Sequence, residues 1–317
     1  MLGRLPVRWR LETRGVDALA QSGADGGSFE LGRTSFLRDG VLVVLPARKF
    51  LRQPETVREV VQHEAVHATF ASQLGRARYE ALPMWFREGV ALLISGEGES
   101  AWRREIAYAV FQDRAAHWFV ASLHSPAPAP GAAYVAVRWL RQRVGQKKFL
   151  RLLRRTADGR DFEGVLRAVA GFGVGQGRDL ATTAARRSAR DTLSIERETT
   201  FRKLHRQLRG GGSAVEAMER FLRDDEDGVL AGTAHYVLAK GAFRARRHDQ
   251  ALAHLARVLA SRDRLWRPEA LLLLARTQAA LGQMGLARKS LAEVQEVFGE
   301  DRSVAADAHR LAARWAP

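Results

Sequence analysis

Two histidines and a glutamate lie within one short segment, His63-Glu64-Ala65-Val66-His67. Residues at positions i and i+4 of a helix share one face, so both imidazoles can reach one ion at the roughly 2.0–2.1 Å that zinc prefers. Glu64 lies one position round the helix, where its carboxylate can take a proton from a water molecule that the metal activates. The pattern indicates metal-assisted hydrolysis. The alternative is a helix with two partly buried histidines that bind no metal.

A site with two histidine ligands needs a third protein ligand, and Glu88 is the candidate. It lies in Pro83-Met84-Trp85-Phe86-Arg87-Glu88-Gly89-Val90-Ala91, with twenty residues between it and His67. That distance along the chain allows a turn and an antiparallel return. We expect Pro83 to begin the returning helix and Trp85 to anchor it in the core. Gly89 and Ala91 should let this helix pack closely on the first.

The two segments together resemble the gluzincin metallopeptidases, and more narrowly the bacterial peptidase-MA-like group. In that group H-E-x-x-H is followed some twenty residues later by P-x-W-x-x-E-G-x-A, as it is here. The resemblance implies that His63, His67 and Glu88 bind one zinc ion per chain. It also implies that Glu64 is the general base in the hydrolysis of peptide bonds. It covers about residues 40–155.

Tyr134 opens a further stretch that resembles this family, AAYVAVRWLRQRVGQKKFLRLL. Family members often have a tyrosine at the beginning of a helix here, and in gluzincin aminopeptidases a comparable tyrosine hydrogen-bonds the oxyanion. The resemblance therefore implies that Tyr134 is catalytic, and a core or helix-start aromatic is the alternative. No G-x-M-x-N segment precedes His63. We therefore expect a metallopeptidase that is not an aminopeptidase.

The pattern of apolar residues predicts a mostly α-helical chain with an α+β N-terminal part. Val7 to Leu11 alternates apolar and charged residues, as a half-buried strand does. Asp39-Gly40 stands between two β-type runs, which is typical of a two-residue hairpin turn. After Pro54 nearly all segments have helical spacing. The resemblance adds that this small N-terminal sheet belongs to a zincin-like metallopeptidase core.

A repeat occupies the C-terminal part of the chain. Ala239 and Ala251 are twelve residues apart, Ala275 and Ala287 have the same spacing, and the two pairs are offset by 36 residues. Small residues at these positions let antiparallel helices approach closely. The pattern resembles tetratricopeptide repeats, whose unit is about 34 residues. It predicts α-helical hairpins that bind a protein partner or position a substrate.

These observations predict three regions. Residues 1–170 form a gluzincin-like metallopeptidase domain, residues 171–213 a glycine-punctuated helical linker, and residues 214–317 the helical repeats. The expected partners are a peptide or protein substrate and a protein bound by the repeats. A non-catalytic scaffold whose zinc site is structural is the alternative function.

Composition narrows the function classes further. The 317 residues include no cysteine, which excludes disulfides, thiolate zinc sites and cysteine nucleophiles. The net charge of +16 makes nucleic acid a partner to consider. The charge is spread evenly along the chain, however, and aromatic residues are not interleaved with the basic ones, so no nucleic acid is expected. No membrane span is expected. As it stands the sequence favours the cytoplasm, whereas a leader ahead of it would favour the periplasm or secretion.

Overall fold

The structure is a computed structural model that describes residues 6–12, 33–37, 40–46, 54–210, 214–261, 265–298 and 302–315. Three strands form one sheet: β1 (Val7–Glu12), β2 (Arg33–Leu37) and β3 (Gly40–Pro46). The central strand β3 is parallel to β1 and antiparallel to β2. The small N-terminal sheet is therefore confirmed. Gly40 of the predicted Asp39-Gly40 turn instead begins β3, where it pairs with Leu37, and Asp39 lies outside the described residues.

The described part of the chain after residue 53 is helical almost throughout, which confirms the mostly α fold class. In chain order the α-helices are α1 (Pro54–Leu74), α2 (Arg76–Ala81), α3 (Met84–Ser95), α4 (Gly98–Phe111), α5 (Pro130–Val144), α6 (Gln146–Ala157), α7 (Phe162–Ala170), α8 (Val174–Thr192), α9 (Ile195–Arg209), α10 (Val215–Arg223), α11 (Ala231–Arg244), α12 (His248–Ala260), α13 (Arg267–Ala280), α14 (Met284–Phe298) and α15 (Arg302–Arg314). A 3₁₀-helix, Trp118–His124, precedes α5. No helix among the described residues is long and apolar enough to cross a membrane.

The chain divides into two compact units. The first comprises Met1–Glu105 and His117–Asp191, and the second comprises Ile106–Ala116 and Thr192–Pro317. The predicted boundaries at residues 170 and 213 do not coincide with this division. Helix α8 belongs almost entirely to the first unit, although its glycines suggested a linker.

In the first unit, helix α1 is held against the sheet by a small apolar core. Alternate residues of β3 point to one face, and there the buried side chains of Val41, Val43 and Leu45 belong to one cluster with α1. The helix contributes Val60 and buried alanines further along. This packing sets the rotation of α1 about its own axis. It therefore sets the direction in which each histidine side chain leaves the helix.

Helix α3 begins where the sequence predicts. Pro83 precedes its first residue, and Gly96 ends it in the left-handed conformation with φ of 88°. The Trp85 side chain is buried as expected. The close approach at Gly89 is made to α5, however, because an added Cβ would overlap the carbonyl oxygen of Ala133. The expectation that Gly89 faces α1 is wrong, since spacing along one helix does not identify the helix packed against it.

Replacing Gly89 with alanine should destabilise the first unit by about 1–3 kcal/mol, because the new methyl group has no space between α3 and α5. Gly241→Ala is the matched control: Gly241 lies within α11, and an added Cβ there meets no atom within 4 Å. The control should be neutral or stabilise by up to about 1 kcal/mol. Urea denaturation followed by circular dichroism measures both. Equal stability of the two variants would contradict the packing described here.

In the second unit, α11 packs on α12 and α13 packs on α14. The four small residues of the repeat, Ala239, Ala251, Ala275 and Ala287, are each 0% exposed. The repeat therefore places its four alanines in the interior of this unit. The helical hairpins are present, and their assignment to the tetratricopeptide class stays a prediction.

Candidate metal centre

The three predicted ligands lie together in the first unit. His63 and His67 leave α1 side by side, with 3.1 Å between their Nε2 atoms. The Glu88 Oε2 atom, from α3, is 3.6 Å from each of these nitrogens. Within the described residues, these three form the one group of histidine, cysteine or acidic side chains whose ligand atoms converge closely enough to hold a metal ion.

These separations fit a metal ion. Two ligands of a tetrahedral ion with bonds of about 2.0–2.1 Å lie about 3.4 Å apart. The observed values of 3.1 Å and 3.6 Å bracket that separation. Two imidazole nitrogens and one carboxylate are also a donor set that metal sites commonly use. A fourth position remains for a water molecule or a substrate atom.

The protonation of the site follows from its charges. Burial alone would lower the pKa of His63, but the carboxylates of Glu88 and Glu97 outweigh it and raise the pKa to about 10. Burial alone would raise the pKa of Glu88, but His63 and His67 outweigh it and hold the pKa far below its usual value. Without a metal ion the site therefore pairs a carboxylate with an imidazolium. A bound cation would replace that proton.

Glu64 lies on α1 between the two histidines, and only 6% of it is exposed. It directly follows His63 in the chain and stands three residues before His67. A carboxylate beside a metal ion has a use as a proton acceptor that a purely structural site does not require. The structure thus keeps Glu64 next to the candidate metal site.

Each histidine also has a partner at its second ring nitrogen, and neither partner was identified from the sequence. The Nδ1 atom of His63 is 3.4 Å from Glu97 Oε2. The Nδ1 atom of His67 is 3.0 Å from the hydroxyl of Tyr79. Metal-ligating histidines almost always have such partners, so a partner for each was to be expected, but no motif in the sequence identifies which residue it is.

Tyr134 lies on α5, and its ring packs against Gly98, the residue after Glu97. A Cβ at Gly98 would overlap this ring, so the absence of a side chain at Gly98 leaves the space that the Tyr134 ring occupies. Burial raises the pKa of the Tyr134 phenol, and the nearby charge of Arg138 opposes the shift. The phenol therefore keeps its proton at neutral pH and can donate a hydrogen bond.

The part-buried carboxylate of Glu105 fixes the first turn of α5. It accepts hydrogen bonds from the backbone N–H groups of Gly131 at 2.7 Å and Ala132 at 3.1 Å. Burial raises the pKa of Glu105 to about 7, although these two hydrogen bonds oppose the shift. The cap satisfies donors that a helix start leaves unpaired. It thereby holds the turn that leads into Tyr134.

Site and fold together define a helical domain with a candidate metal site, formed by two histidines of α1 and a carboxylate of α3. Residues 55–184 match the family model of the Peptidase MA superfamily. The match begins in α1, ends in α8 and contains all three candidate ligands, Glu64 and Tyr134. It supports a peptidase of this superfamily, whose members are typically metal-dependent. Comparisons with curated proteins and with solved structures found no match.

Proposed function

We propose that the chain is a gluzincin-type zinc metallopeptidase with His63, His67 and Glu88 as zinc ligands. The observation that carries the proposal is the convergence of three ligand atoms within 4.8 Å of one another. Imidazole and carboxylate donors suit several transition metals, including the iron of oxygenases. Zinc is favoured because Glu64 beside the ligands provides the proton acceptor that hydrolysis requires. The match to the Peptidase MA superfamily over residues 55–184 supports the same choice.

When bound, zinc supplies a Lewis acid for the peptide carbonyl and for water. Glu64 takes the proton of the attacking water and passes it to the leaving amine. Tyr134 donates its phenolic hydrogen to the oxygen on which negative charge develops, so the bond is strongest in the transition state. Glu97 faces the second ring nitrogen of His63 and makes that imidazole a better ligand.

Replacing Tyr134 with phenylalanine should lower kcat by about 10²–10³, the usual effect of removing one oxyanion donor. Zinc content should not change, because the ring can keep its contact with Gly98. Tyr236→Phe is the matched control, since Tyr236 is a buried tyrosine of the second unit. Steady-state kinetics on a cleaved peptide measures the effect. A kcat equal to that of the control would remove Tyr134 from the mechanism.

The second unit has a separate role in this proposal. Its helical hairpins present repeated surfaces of the kind that bind partners or substrates in repeat proteins. We assign them the docking of a protein partner or substrate, and we keep residues 1–170, 171–213 and 214–317 as the proposed functional division. Every residue that we place in the chemistry precedes residue 171.

Hydrolysis of an unbiased peptide library tests the proposed function. Half of the library carries blocked N-termini, so that endopeptidase and aminopeptidase activity are separated. We expect new peptide ends in both halves, their loss with a chelator, and their return when zinc is added. Cleavage that persists after zinc removal would contradict the proposal. Zinc binding with no cleavage would favour the non-catalytic scaffold.

A further inference from the structure

Helix α2 is a short element between the two helices that carry the candidate ligands. It provides Tyr79, whose hydroxyl oxygen is 3.0 Å from His67 Nδ1. The two rings meet edge to face, with an interplanar angle of 88°. The Nε2 atom of the same imidazole points to His63 and Glu88. His67 therefore has one ring nitrogen at the candidate metal site and the other against a phenol.

The direction of this hydrogen bond follows from the ligand role. A neutral imidazole that binds a metal through Nε2 carries its proton on Nδ1. That N–H group donates to the Tyr79 oxygen, which holds the ring in one tautomer and one orientation. His63 differs, because its Nδ1 atom faces the carboxylate of Glu97. The two histidine ligands thus have unlike outer partners, one anionic and one a phenol.

Tyr79 is itself held from two sides. Its ring packs against the apolar core formed between β3 and α1. The guanidinium of Arg87 lies over the face of the Tyr79 ring, 4.6 Å from the ring centroid, which is within the range of a cation–π contact. Arg87 directly precedes Glu88 on α3. The residue that fixes the phenol is therefore covalently adjacent to the carboxylate ligand.

We propose that Tyr79 is a positioning residue that fixes the tautomer and orientation of His67 for metal binding, with Arg87 holding the phenol. This inference rests on the proposed metal site but not on the peptidase activity. It predicts that the phenolic oxygen, and not the ring, strengthens metal binding. The packing of the ring on Arg87 and on the core is retained when the oxygen alone is removed.

Zinc affinity of the whole chain, measured by competition with a chromogenic chelator, tests the proposal. Tyr79→Phe should bind zinc about 10-fold more weakly than wild type, at the lower end of losses for outer partners of metal ligands. Tyr236→Phe removes a buried hydroxyl from the second unit and should bind as wild type does. The visible spectrum of the cobalt-substituted protein should change in Tyr79→Phe alone. Equal affinity and equal spectra in all three proteins would overturn the proposal.

A measurement on the wild type avoids dependence on the folding of the variant. In the zinc-loaded protein with ¹⁵N-labelled histidine, the Nδ1 proton of His67 should exchange slowly. The half-exposed His124 is the internal reference for fast exchange. Metal binding through Nδ1, or a proton that exchanges as fast as that of His124, would overturn the role of Tyr79. Zinc binding with the expected Tyr79 effect but no peptidase activity would overturn the proposed function alone.

Discussion

Replacing His67 with alanine should reduce zinc content from one ion per chain to nearly none. The side chain supplies one of the three proposed protein ligands. With only two protein ligands left, water would fill the other coordination positions and the zinc ion would bind weakly. Peptidase activity should disappear with the metal. Elemental analysis of the purified, dialysed protein measures the zinc. The exposed His309 in α15 gives the control variant, His309→Ala, which should keep its zinc.

The folded state must be compared in the same experiment, because His67 is buried and its removal leaves a cavity. Circular dichroism should show the helix content of the wild type. A folded His67→Ala protein that retains one zinc ion per chain would contradict the ligand assignment. The metal would then have to be bound elsewhere in the chain.

Replacing Glu64 with glutamine should leave zinc bound while turnover falls at least about 100-fold, the lower end of general-base effects. The amide keeps the shape of the side chain but cannot accept the proton. Glu59→Gln is the matched control, because Glu59 is an exposed residue of the same helix. Its turnover should equal that of the wild type. Single-substrate kinetics at saturating peptide measures kcat for each protein.

The two measurements on Glu64→Gln separate a base from a ligand. Loss of zinc together with activity would indicate that Glu64 binds the metal. Zinc retained with wild-type turnover would contradict its role as the base. The predicted combination is zinc retained and turnover lost, which a ligand variant such as His67→Ala cannot produce.

The local parts of the site were predictable from the sequence. Helical spacing puts His63 and His67 on one face, and the interval to Glu88 allows an antiparallel return. Pro83 precedes the first residue of the returning helix, a position that suits proline. Gly96 ends the helix in the left-handed conformation, which glycine adopts readily. These predictions depend on residues close together in the chain, where periodicity and caps are informative.

Contacts between elements were harder to predict. Tyr79 reaches His67 from α2, which packs on α1, and Glu97 reaches His63 from the connection between α3 and α4. No periodic signal in the sequence marks either residue. The helix that packs on Gly89 was predicted wrongly for the same reason. A glycine in a helix indicates a close contact but does not identify the helix that makes it. The glycines after residue 170 predicted a linker, whereas Val174–Thr192 forms the long helix α8, which belongs almost entirely to the first unit.

The claim that His63, His67 and Glu88 form one zinc centre is tested most directly by an anomalous difference map. The map is measured at the zinc absorption edge on crystals of the 317-residue chain grown with zinc. We predict one dominant peak within about 2.0–2.2 Å of His63 Nε2, His67 Nε2 and a Glu88 carboxylate oxygen. A dominant peak on other side chains, or these three side chains together without a peak, would contradict the claim.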